Sequence, residues 1–131
     1  MKTIFASLAF IVFTFPLAFL WHLKIFRTKY EQWQYFGGDA QPLLGLLAMV
    51  VQGVVLAVCY PFFAVTTLPF FNALAFSGFM LVFFWSTHVV STMAKTKETR
   101  HWGFFTLETL YLVIQFGVFG VLLGLIETWL V

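Results

Sequence analysis

Charge is what this sequence has least of. Asp, Glu, Lys and Arg together make up 9% of its 131 residues, against roughly a quarter in water-soluble domains, while 62% of the chain is hydrophobic. A water-soluble core cannot absorb that excess. Cysteine is almost missing too. Cys59 stands alone, which excludes an intrachain disulfide, a CxxC redox pair and a cysteine-rich metal site. No glycine-rich nucleotide loop, nucleophile elbow or haem-attachment motif occurs. The seven Lys and Arg residues lie in loops or at one end, so no basic footprint for nucleic acid is present.

Long apolar runs fill the space that these absences leave. Crossing the hydrocarbon core takes about 20 mostly apolar residues, and four such stretches occur, at about 4–21, 43–63, 68–90 and 104–126. They are too long and too continuously apolar for alternating barrel strands, so their backbone polar groups must be satisfied within helices. The expected fold is therefore all-α: a single domain of four transmembrane helices. Pro42 and Pro69 suit first turns, Gly37-Gly38-Asp39 marks a turn, and Pro16 inside the first span predicts a kink.

Lys24, Arg27 and Lys29 lie in the first loop and Lys95, Lys97 and Arg100 in the third, leaving only Lys2 elsewhere. The positive-inside rule then puts loops 22–42 and 91–103 in the cytoplasm and both termini outside. Trp21, Trp33, Trp85 and Trp102 are expected as an aromatic belt at the inner interface, with Tyr30, Trp33 and Phe36 laying the first loop on the membrane surface. A cleaved signal peptide is not expected, because Lys24 and Arg27 follow the first run and no A-x-A-like site does.

The two halves echo each other weakly. Trp21-His22, Thr28-Lys29, Trp33 and Gln52-Gly53 are matched by Trp85 with His88, Thr96-Lys97, Trp102 and Gln115 with Gly117. Two hairpins of like orientation would form a parallel repeat, although membrane hairpins share interfacial Trp and Lys in any case.

Small residues on the second span, Gly45, Ala48, Gln52 and Cys59, fall at helical spacing and predict a contact face, with Gly53 a further packing position. The fourth span carries a polar stripe of His101, Glu108, Tyr111 and Gln115 opposite Gly117, Gly120 and Gly124. At similar depth, Gln52 and Gln115 are expected to pair, leaving the glycine face open to a partner.

Glu108 is the most informative residue, because a carboxylate in hydrocarbon is costly and such groups face a cavity, a partner or a proton path. It lies roughly 9 Å inside Trp102 at 1.5 Å per residue. Its bland reading is a carboxyl bonded to a neighbouring helix. Joined by His22, His88 and His101 it would be a metal or proton-relay group, although no helix carries ligand spacing.

With its Pro-containing first helix, its Trp-rich basic loop and Glu108-x-x-Tyr111-x-x-x-Gln115, the chain resembles small four-helix bacterial inner-membrane proteins that carry no assigned activity. The resemblance spans the whole chain and implies an inner-membrane location with periplasmic termini. It implies no catalytic residue. The first functional expectation is an accessory subunit packed against a larger membrane complex and structural lipids, with no covalently bound cofactor. The alternatives are a homo-oligomeric transporter or channel with a path along Glu108, Gln52 and Gln115, and a membrane enzyme built on the histidines and Glu108.

Overall fold

A computed structural model of the chain describes residues 1–130. Four helices long and apolar enough to cross a membrane run over Lys2–Ile25, Pro42–Phe62, Pro69–Lys95 and Trp102–Trp129. The chain is an all-α, multi-pass membrane protein. Helix α1 (Lys2–Leu20) passes without interruption through Pro16 and ends in a π-helical turn, Trp21–Ile25. A short α2 (Arg27–Gln32) follows, and then α3 (Pro42–Cys59) with a 3-10 turn at Tyr60–Phe62. The third span is α4 (Pro69–Trp85), again ending in a π-helical turn (Ser86–Val90), and runs on as α5 (Ser91–Lys95). The fourth, α6 (Trp102–Trp129), is one helix of 28 residues. At 1.5 Å per residue it is about 42 Å long, enough to reach both interfaces.

Local chemistry sets the boundaries. Pro42 and Pro69 occupy first turns, where the missing N–H has no helical partner to lose. His101 caps α6, its Nδ1 accepting the Phe104 backbone N–H at 3.3 Å. Gly37 (φ +62°) and Gly38 (φ +151°) supply the left-handed backbone that turns the first connection back into α3. At the opposite end, the Thr66 hydroxyl and N–H donate to Asn72 Oδ1 at 2.7 and 3.2 Å, and Asn72 Nδ2 returns a bond to the Thr66 carbonyl at 2.8 Å. That short connection is thereby closed without a glycine.

Across the bundle the order is α3, α1, α6, α4: α3 packs on α1, α1 on α6 and α6 on α4. The seam between α3 and α4 is left open. Each hairpin also ends its first helix in a π-helical turn bearing a histidine, His22 or His88.

Small residues bring the helices together. A Cβ at Gly120 would lie 2.9 Å from Ser77 Cβ, and one at Gly124 would lie 2.5 Å from the Phe70 ring. The Ser77 hydroxyl donates to the Phe116 carbonyl across the same seam. The glycine face of α6 is therefore not open to a partner, because α4 fills it; only Gly117 looks outward, with nothing within 4 Å. On α3 the contact face is Gly53, Leu56 and Ala57, continued by Tyr60 in the 3-10 turn. Gly53 meets the Ser7 carbonyl and Ile11 of α1, and the Ser7 hydroxyl donates to the Gly53 carbonyl at 3.2 Å. That face is rotated from the expected one of Gly45, Ala48, Gln52 and Cys59, since Ala48 is exposed and Gln52 and Cys59 line the open seam beside Met80, Phe83 and Phe84. Phe10, edge-on to Phe119 at 5.1 Å, anchors α1 to α6, a geometry worth about 0.5–1.5 kcal/mol beyond burial.

Candidate functional site

The polar stripe of α6 begins at Glu108, 1% exposed at the end of the bundle that carries the basic loops. Three other parts of the chain converge on its carboxyl group. His22, in the π-helical turn after α1, places Nε2 3.2 Å from Oε2. Tyr30 of α2 donates its hydroxyl to the same oxygen at 2.6 Å. Tyr35 reaches Oε1 at a long 3.4 Å. Tyr30 is itself held in place, accepting a bond from Trp21 Nε1 at 3.1 Å.

Those partners fix where the protons are. The His22 Nδ1 lies 3.0 Å from the Ala18 carbonyl, which can only accept, so Nδ1 carries hydrogen. Trp21 can only donate, so the Tyr30 proton is directed at Glu108. A hydrogen bond across the Nε2 to Oε2 contact then requires one further proton, whether it is drawn on the imidazole or on the acid. With that proton the pair is net neutral, the form in which a low-dielectric bundle accommodates a carboxyl group.

Burial, and secondarily the Glu108 charge, push the phenols of Tyr30 and Tyr35 above the ordinary tyrosine range. Both therefore act as neutral donors. The π-helical turn gives the local reason that His22 can reach in, because it offsets the register at the end of α1; such turns recur at functional sites.

Glu108 and His22 also form part of the wall of a cavity of about 290 Å³. Its remaining wall is largely aromatic and aliphatic: Phe15 and Phe19 of α1, Tyr35 and Phe36 of the first connection, Gly45 and Met49 of α3, Tyr111 of α6 and His88 from the second π-helical turn. Ala40, Gln41 and Pro42 also line it, and a second cavity shares Phe19, His22 and Phe36 and includes Lys24, Arg27 and Asp39 in its wall. Oε1, with only its long Tyr35 contact, retains accepting capacity.

Several sequence expectations fall differently in space. His101 is not beside Glu108: it caps α6 and packs on Trp33 at 5.0 Å. Among the described residues no group of three His, Cys, Asp or Glu side chains stands close enough to hold a metal, so His22, His88, His101 and Glu108 do not form a metal cage. Gln115 is buried in the bundle whereas Gln52 faces the open seam, and no hydrogen bond joins them among the described residues. Trp21 is not part of an interfacial belt, because its indole is buried against Tyr30. In the first connection Tyr30 is wholly buried, and Trp33 and Phe36 pack on the core. Glu108 demands donors, and that demand draws the loop inward.

No family model matches the chain, and neither curated proteins nor solved structures give a significant match. The site is read from its own geometry.

Proposed function

We propose that the chain is a small multi-pass membrane protein that works by binding a small molecule at Glu108, entered from the side of its basic loops. One observation carries this reading: a carboxyl group held by His22, Tyr30 and Tyr35 is also part of the wall of a cavity. A concave, mostly apolar space with a few convergent polar groups is the usual form of a ligand site, and an intramembrane carboxyl is the usual mark of a substrate or proton path. Loops 22–42 and 91–103 lie in the cytoplasm on this reading, with both termini periplasmic in a bacterial inner membrane, in keeping with the six basic residues of those loops.

Dicyclohexylcarbodiimide, a lipophilic reagent for carboxyl groups in apolar surroundings, tests the reading in native membranes. Mass spectrometry should find the adduct on Glu108. If Glu108 stays unmodified while Glu127 reacts, the cavity is closed and the reading fails.

A second reading, an accessory subunit of a larger membrane complex, draws on the open α3 to α4 seam. There Gln52 sits half-exposed among Val51, Val55, Met80 and Phe83, an amide with no hydrogen bond among the described residues that a partner helix would satisfy. Mild solubilisation followed by identification of stoichiometric co-purifying subunits tests it.

A further inference from the structure

The chemistry of the cavity wall narrows the ligand class, and the inference rests on the ligand-binding reading above. Around Glu108 stand His22 from the turn after α1, Tyr30 and Tyr35 from the first connection, His88 from the turn after α4 and Tyr111 on α6 itself; α3 contributes Pro42, Gly45 and Met49, none of them titratable. Phe15, Phe19, Phe36 and Tyr111 give the space aromatic walls, and aromatic faces carry negative potential that attracts cations and repels anions. The free accepting capacity at Oε1 has the same sign. Among the described residues no fixed cation lines the wall; Lys24 and Arg27 belong to the outer cavity.

The shared proton supplies the second half of the argument. With it, the Glu108 and His22 pair is neutral. A cation that entered alone would leave one uncompensated positive charge in the bundle, at a large cost. If the proton on the Nε2 to Oε2 contact leaves for water as the cation arrives, the site holds a carboxylate, a neutral imidazole and one cation, and is neutral again. We infer that the cavity binds a hydrophobic organic cation, an aromatic or alkyl ammonium, in one-for-one exchange for the proton that Glu108 shares with His22.

Benzyltrimethylammonium is a suitable probe, since it is permanently charged and compact, and neopentylbenzene is its uncharged counterpart. Isothermal titration of the full chain in nonionic detergent, at pH 6 to 8 and in buffers of different ionisation enthalpy, counts the protons released. The expected result is saturable binding of the cation with one proton released, an affinity that rises about tenfold per pH unit by linkage, and no comparable binding of neopentylbenzene. Glu108→Gln should abolish binding, and Glu127→Gln, at the far end of the same helix and paired with Lys2, should retain it. The pH dependence of the unaltered protein reads the exchange even if Glu108→Gln folds poorly. Equal binding of neopentylbenzene, or cation binding without proton release, would overturn the inference. Carbodiimide labelling separates the two levels: an adduct on Glu108 that the cation does not suppress refutes the ligand class and leaves the site standing, whereas no adduct at all refutes the site.

Discussion

Helix α6 carries two glutamates, one near each end, and the bundle treats them in opposite ways. Glu127 meets Lys2 at 3.5 Å, with side chains 20% and 39% exposed, and its backbone carbonyl accepts a second bond from the same ammonium. Glu108 is 1% exposed and draws in a histidine and two tyrosines from the first third of the chain. The first arrangement is a partly hydrated ion pair, worth at most a fraction of a kcal/mol to about 1. The second organises a whole loop. One residue type thus tethers two chain ends where water reaches it and dictates tertiary structure where water does not.

Removing one partner shows the difference most strongly. Glu108→Ala orphans the Tyr30 donor and leaves His22 without its acceptor, and should cost about 3–5 kcal/mol, read as a large drop in the unfolding midpoint of the detergent-solubilised protein. Tyr30→Phe strips one donor from Glu108 and leaves the Trp21 indole N–H unpartnered, for roughly 1–3 kcal/mol. Gly120→Ala forces a Cβ against Ser77 Cβ, which is tied to its backbone, and should cost about 1–3 kcal/mol. Gly124→Ala meets only the Phe70 ring, which can turn aside toward the surface, and should cost less; Gly117→Ala, facing open space, should cost least of the three. Lys2→Ala should cost no more than about 1 kcal/mol.

Alkali sharpens the comparison from another side. The Tyr30 phenol is pushed above its ordinary value of 10.0, first by burial and then by Glu108. A raised folded-state value means that the stabilisation is complete below about pH 10 and is lost as pH climbs toward the folded-state value. Unfolding midpoints measured from pH 9 to 11 should therefore fall with pH, and Tyr30→Phe should flatten that slope.

The four spans and the placing of a carboxyl inside the last of them were legible in the sequence, because hydropathy is a local property. What surrounds Glu108 was not. Tyr30 and Tyr35 stand in a basic, polar connection far from Glu108 in the chain; Tyr30 reads as a surface anchor and Tyr35 carries no signal of its own until the carboxyl supplies a reason to turn inward. The glycine stripe was visible as a close-packing face, but which helix would fill it depends on the order α3, α1, α6, α4. That order follows from long-range fit. His101 illustrates the same point at short range: three histidines cluster near one end of the bundle in projection, yet one is committed to capping its own helix.

The neutral, one-proton pair is the claim on which the cavity chemistry depends, and nitrogen-15 NMR of the labelled His22 ring in lipid bilayers observes it directly. The expected spectrum near neutral pH shows Nδ1 bearing hydrogen, and Nε2 in a strong hydrogen bond whose shift changes markedly in Glu108→Gln. An Nδ1 resonance typical of a bare lone pair, or an Nε2 signal indifferent to the loss of the carboxyl, would contradict it.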